Sequence, residues 1–362
     1  MLRSRLTRAA ALTLFAAPPQ ANDSRVELVR LADGVYAAIR REPLGLAVNS
    51  NSLIVVGGRE VLVVDAQFTR EATRETIAAI RSVTPHPVRW VVNTHWHDDH
   101  FAGNQVYRDS FPGVQFILHQ STREDLARLG EPNRTATGQG APPLVERYDR
   151  LLGQGLGVDS TPVSDGERAS LTSALRIMRR YLAELPDFRF TAEGPTVREA
   201  LRLEVGTQVV DIRWFGRANT RGDLVVSLPR HGIVVTGDLV VWPIPFGFLS
   251  YPHEWTAVLD SVAALRPRQI VPGHGPVMGD LGYLHRVRSL LAEAADSAAA
   301  SHARGDSLAV ALRTIQLAKP QQEMTGGEKW LTYMWNQFFL RPVVTSVFRE
   351  LNAPSAPRKP RA

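Results

Sequence analysis

The segment Thr94-His95-Trp96-His97-Asp98-Asp99-His100 places three of the chain's ten histidines within six residues, with carboxylates between them. Imidazole nitrogen and carboxylate oxygen are the donors that Zn2+ and similar ions prefer. Crowding so many ionisable groups together is costly without a use, so a plain polar surface loop explains the pattern poorly. His95 and His97 can turn toward one ion while Asp99 and His100 reach another. A centre of this kind supports hydrolysis, because a bound divalent ion acidifies water to near neutral pH and polarises the oxygen of the bond to be broken.

The elements that must hold these residues are written around them. The apolar run 88–93 leads directly into the histidine segment and reads as a buried strand. The ligands therefore sit in the loop at its C-terminal end, fixed by a sheet and open to solvent. Upstream, residues 26–40 alternate weakly and predict one or two strands. Residues 52–56 and 61–64 form a hairpin around Gly57-Gly58-Arg59-Glu60 that ends at Asp65. Residues 71–83 carry apolar side chains at helical spacing and stop before Pro85. Downstream come a strand at 114–118, a helix at 121–129, a Gly- and Pro-rich loop or lid at 130–163, and a helix at 164–185. A strand at 209–215 precedes a second hairpin, 224–228 with 233–235, which ends at Asp238. A helix at 255–265 and a short strand at 269–271 lead into Pro272-Gly273-His274-Gly275. The two hairpins, LIVVGGREVLVVD and LVVSLPRHGIVVTGD, both read strand, tight turn, strand, Asp, which suggests two related halves.

His95 to His100 is similar to the H-x-H-x-D-H signature of the metallo-β-lactamase superfamily. Thr236-Gly237-Asp238 resembles that family's strand end with a bridging aspartate, and Val271-Pro272-Gly273-His274-Gly275 resembles its final histidine loop. The resemblance spans roughly residues 30–285. It implies an α/β fold, a four-layer αββα sandwich with a helical or loop insertion at about 130–200 and C-terminal helices. The catalytic domain would run over 22–285, the helical extension over 286–351, and a disordered tail over 352–362. The resemblance also implies one or two Zn2+ ions held by His95, His97, Asp99, His100, Asp238 and His274, another divalent metal remaining possible. Asp99 would in addition orient the nucleophile or accept a proton. The implied activity is hydrolysis of an ester, lactone, thioester or amide-type bond in a small-molecule substrate. Segments GRANTRGD, WPIPFG and FLSYPHEW resemble the sulfur-oxidation and quinoprotein-relay-like hydrolases of the superfamily, which points away from a dedicated β-lactamase. One position departs from the pattern: Asn219 stands where a further histidine is expected. Three readings stand open, namely a weak ligand, a hydrogen-bond partner of a bound water, or a first metal position left empty.

Composition removes several alternatives. The chain has 362 residues, no cysteine and a net charge of +6, so disulfides, thiolate metal sites and a cysteine nucleophile are excluded. Six basic residues, Arg3, Arg5, Arg8, Arg358, Lys359 and Arg361, lie near the ends, and without them the body is near neutral. No nucleic-acid groove is implied, which weakens a nuclease reading of the same fold. A non-catalytic metal-binding or sensor protein is the other alternative, and Asn219 is its main support. The basic start followed by AAALTLFAA reads as a signal peptide over 1–21 and predicts export to the periplasm or outside the cell. That run is too short to span a membrane, so no stable membrane insertion is expected. There is no Gly-rich phosphate loop and no G-x-S-x-G elbow. Asp65 either orients a ligand from behind or caps a turn, and Asp223 plays a structural role. His119 reads as a structural histidine and His231 as a solvated turn residue. Trp96, Trp242, Pro243, Phe246, Phe248 and Tyr251 either line an apolar pocket beside the metal or pack in the core.

Overall fold

The computed structural model describes residues 25–353 apart from 42 and 44–48. The expected signal peptide and the tail beyond 353 lie outside the described residues.

Two sheets build the molecule. The first runs in sequence order: β1 (Val26–Ala32), β2 (Val35–Arg40), β3 (Ser52–Val56), β4 (Val61–Val64), β5 (Val88–Val92), β6 (Gln115–His119) and β7 (Thr196–Val197). The second contains β8 (Ala200–Val205), β9 (Gln208–Trp214), β10 (Leu224–Leu228), β11 (Ile233–Val241) and β12 (Gln269–His274), with β12 and β8 at its edges. Side-chain alternation along the strands sorts the core into layers. Leu53, Val55, Leu62 and Val64 meet Val210, Ile212, Val226 and Val235 between the sheets. Ile54, Val61 and Val63 point the other way, onto Ile77 and Ile80 of the helix Arg70–Val83. On the far side, Val225 and Val234 pack against Trp255 and Val258 of the helix Pro252–Ala264. Helix, sheet, sheet and helix make the expected four layers. Strands buried on both faces explain why these segments read as unbroken apolar runs.

The repeat seen in the sequence is structural. Hairpin β3–β4 is followed by a helix and by β5 parallel to β4, and hairpin β10–β11 is followed by a helix and by β12 parallel to β11. Asp65 and Asp238 therefore sit at matching places, and the His95 loop and His274 close matching strands.

The structure corrects four local expectations. Residues 131–153 form a helix, Glu131–Gly153, and not a loop. Pro132 suits a first helical turn, and Pro142 and Pro143 lie inside it and forgo backbone bonds. Packing against the helix Asp165–Glu184 and burial of Arg134 and Val145 outweigh the poor local propensity. β8 was not legible: its apolar residues alternate with exposed Arg202 and Glu204 on a sheet edge. β11 continues past Asp238 to Val241. His231 is not simply solvated, since its Nε2 lies 2.8 Å from Gln208 Oε1. The C-terminal segment is helical as expected, beginning with Gly282–Ala303. Among the described residues no helix is long and apolar enough to cross a membrane.

Candidate metal centre

The ligand loops meet where the C-terminal ends of β5 and β12 come together. Leu224 N donates to Thr94 O at 2.8 Å, which joins the start of β10 to the His95 loop. Asn51 N donates to Gly273 O at 2.7 Å, and Asn51 Nδ2 donates to Pro272 O at 3.0 Å and Gly275 O at 2.8 Å. The first sheet thus holds the His274 loop through one buried amide. Gly237 and Gly273 permit the close approach. A Cβ at Gly273 would stand 2.1 Å from Asp238 Oδ1, and one at Gly237, whose φ is +51°, would stand 2.5 Å from Thr94 Oγ1.

Asp65, at the end of β4, settles the orientation of two histidines. Its carboxylate accepts from Thr94 N at 2.7 Å and from Thr94 Oγ1 at 2.9 Å. It also lies 2.8 Å from His100 Nδ1. Thr94 Oγ1 spends its one proton on Asp65, so at 3.0 Å it accepts from His95 Nδ1. His274 Nδ1 lies 3.0 Å from Asn49 O and donates to it. Each ring therefore keeps Nε2 for the site. Asp65 orients His100, as the first of the two roles open to it requires, and a carboxylate or carbonyl behind an imidazole is the usual way a ligand tautomer is fixed.

Two donor groups result. Asp99, His100, Asp238 and His274 bring four ligand atoms within 4.8 Å of one another, and His95, His97 and Asp238 bring three. Asp238 belongs to both. His100 Nε2 lies 3.1 Å from Asp238 Oδ1 and 3.3 Å from Asp99 Oδ2. His274 Nε2 lies 3.0 Å from Asp99 Oδ2 and 3.4 Å from Asp238 Oδ1. Despite these distances His100 Nε2, His274 Nε2 and Asp238 Oδ1 are buried with no properly aligned hydrogen-bond partner. Lone pairs that crowd together without bonding one another fit a shared ion, and an unpaired polar group at such depth is otherwise costly. The residues present fit a divalent metal.

The electrostatics agree. Burial works to lower His100, but the carboxylates of Asp238, Asp99 and Asp65 hold it well above the usual imidazole range. His274 is raised to about 9 in the same way, by Asp238 and Asp99 against its burial. Asp99 and Asp238 are held low, against burial, by His100 and His274. Burial and the neighbouring imidazoles push His95 down. The carboxylates create a field that draws in positive charge.

Asn219 is fully buried. Its Nδ2 donates to Phe246 O at 2.7 Å, which fixes the amide, and its Oδ1 is left without a partner. Asp223 accepts from Thr220 N at 2.7 Å, and burial raises it to about 7. His119 is held by Ser121 N and Arg198 O and stacks on Trp214, a structural histidine as expected. The aromatic set divides. Trp96 packs in the core outside the first sheet and also stands edge-on to His97, ring centres 4.5 Å apart, and Tyr251 lies under the guanidinium groups of Arg217 and Arg349. Phe246 lies beside His274.

Sequence reasoning missed Asn49 and Asn51, whose roles depend on pairing 225 and 221 residues away. It also missed the partners of Asp98. That carboxylate, between His97 and Asp99, accepts from Arg134 Nη1 at 2.7 Å and from Tyr181 Oη, so the insertion helices grip the His95–His100 loop. A cavity of about 560 Å3 lined by Arg134, Leu182, Phe188 and Phe190 contains none of the metal donors.

Comparison with known proteins agrees with this geometry. The family model described as "Metallo-beta-lactamase superfamily" matches residues 45–274. A linear primary-alkylsulfatase of Pseudomonas sp. (strain ATCC 19151) is 22% identical over 230 residues, 60% of this chain and 40% of the relative. The chain thus spans well under half the length of that curated relative. Among solved structures, a stereoselective inverting sec-alkylsulfatase from Pseudomonas sp. superposes with a TM-score of 0.62 at 16% identity, covering 90% of this chain and 50% of that one. A metallo-beta-lactamase from Pontibacter korlensis gives 0.51 at 19% identity, covering 74% and 99%. At these identities the solved structures speak for the fold alone.

Proposed function

The chain belongs to the metallo-beta-lactamase superfamily, and from this premise we propose that it is a zinc-dependent hydrolase of ester-type bonds in small molecules. The observation that carries the reading is the convergence of His100 Nε2, His274 Nε2 and Asp238 Oδ1, buried and unbonded, on one point. Asp99, His100, Asp238 and His274 would hold one ion; His95, His97 and Asp238 would hold a second. Such ions, when bound, supply Lewis acidity, which acidifies water and polarises the oxygen of the scissile group.

The chain's own residues divide the remaining work. Asp99 has 19% side-chain exposure against 2% for Asp238, so it is the carboxylate that reaches solvent and substrate. We assign it the orientation of the attacking water and acceptance of its proton. Asp238 is the buried anion common to both positions. Asp65 and Asn49 hold His100 and His274 in the tautomer that leaves Nε2 to the site. We assign Asn219 Oδ1, buried and without a partner, as the further donor of the His95 and His97 position. It is a weaker donor than imidazole, so that position is the looser of the two.

The test is a substrate panel run with and without a chelator, alongside metal analysis. It comprises a chromogenic cephalosporin, an acyl lactone, a glutathione thioester, an aryl ester, an alkyl sulfate and a phosphodiester. The alkyl sulfate is included because two relatives are alkylsulfatases by name. Chelator-sensitive turnover of an ester-type member is expected. Turnover of the phosphodiester alone would favour a nuclease. Tight metal binding with no turnover of any member would favour the metal-binding or sensor reading, which Asn219 supports.

A further inference from the structure

The segment between β11 and the helix Pro252–Ala264 carries an unusual load of exposed apolar surface. Among the described residues, six large hydrophobic side chains are exposed, and three of them, Trp242, Phe248 and Leu249, fall within these ten positions. Scattered singly they would call for no explanation, but Phe248 adjoins Phe246, with ring centres 6.3 Å apart, and Phe246 lies at the candidate metal site. Phe246 has its ring centre 6.0 Å from that of His274. Phe338, from the C-terminal helices, lies 5.3 Å from Phe246 and 5.4 Å, edge-on, from Phe248. The rings form a path from a metal donor to solvent.

The path is fixed in place. The Phe246 carbonyl accepts from Asn219 Nδ2 at 2.7 Å, and Gly247 N donates to Phe338 O at 2.8 Å. Ser250 Oγ donates to Gly247 O at 2.9 Å. The cations nearby are committed elsewhere: Arg217 pairs with Glu254, and Arg349 donates to Ser250 O. The surface beside the rings is apolar by construction.

We propose that this aromatic path seats an apolar alkyl or acyl chain of the substrate, with the bond to be cleaved at the metal donors. The proposal rests on the hydrolase reading for what happens to the ligand, but not for its binding. A chain lying along Phe246, Phe248 and Phe338 loses water at every methylene, so affinity depends on chain length.

The experiment is calorimetric titration of the zinc-loaded protein with two homologous series below their micelle concentrations, n-alkanoates and n-alkyl sulfates from C4 to C10. Affinity is expected to rise by up to about fourfold per methylene, in both series or in the one whose head group fits. The Phe248→Ser and Phe338→Ala variants, checked for metal content and circular dichroism, should flatten the slope. A slope of zero in both series, an unchanged slope in both variants, or sedimentation showing the path covered by a second copy of the chain would each overturn the proposal. The two readings separate cleanly. Chain-length-dependent binding without turnover of any ester removes the hydrolase and leaves the path. Chelator-sensitive turnover with no dependence on chain length does the reverse.

Discussion

Asp65 touches no candidate substrate atom, yet it fixes the tautomer of His100 and, through Thr94, that of His95. Its backbone has a φ of +64°, a region that asparagine tolerates and most residues do not. Asp65→Asn therefore keeps the turn while removing the charge that holds the His100 Nδ1 proton. Zinc affinity should fall about 10- to 100-fold with the fold retained. Competition with a chromogenic chelator measures this, and wild-type affinity in the variant would remove Asp65 from the centre. The candidate donors were legible because they cluster: His95 to His100 are contiguous, and His274 lies in a conspicuous Pro-Gly-His-Gly. Asp65 was legible only as one of two roles, because its partner is 35 residues away and sequence carries no distance. Asn49 acts through its backbone carbonyl, and no side-chain signal could have marked it.

Elements that follow strong local rules were read within a residue or two. β3 and β4 match the apolar runs on either side of their turn, and the helix Asp165–Glu184 starts where Ser164 caps it by accepting from Glu167 N. The helix Glu131–Gly153 breaks those rules, and its reason lies in tertiary structure. Arg134 is 4% exposed, its Nη1 donates to Asp98, and its guanidinium lies 4.0 Å from the centre of the Phe188 ring. Tyr181 of the neighbouring helix bonds the other Asp98 oxygen. Both insertion helices are thus tied to one carboxylate in the metal loop. Arg134→Met keeps the bulk and strands a buried anion, a loss that commonly costs about 3–5 kcal/mol. We expect a lower urea midpoint and new protease cuts between residues 131 and 184. Adding Asp98→Asn removes the stranded charge and should restore part of the midpoint. If Arg134→Met alone leaves midpoint and cleavage pattern unchanged, the clamp has no energetic role.

At the scale of the whole molecule, the C-terminal helices belong to the core and are not an appendage. Leu284 and Leu291 of the helix Gly282–Ala303, with Trp335 and Phe339 further on, are essentially fully buried in the same cluster as Trp255, Val258 and Leu259. They pack on the Pro252–Ala264 helix, which covers the second sheet, the sheet that carries Asp238 and His274. Phe338 also brings this segment to the aromatic path beside His274. Burying one such side chain contributes about 1.5–3 kcal/mol, so four of them rival the net stability of about 5–15 kcal/mol typical of a domain. A chain ending at residue 281 would expose the outer face of the Pro252–Ala264 helix, and packing lost there would reach β11 and β12 directly. We expect that truncation to yield aggregated protein, or a soluble form that binds hydrophobic dye and holds no zinc. A monomeric 281-residue chain with full metal content and a cooperative thermal transition would show instead that the two sheets and their first helices stabilise the metal centre unaided.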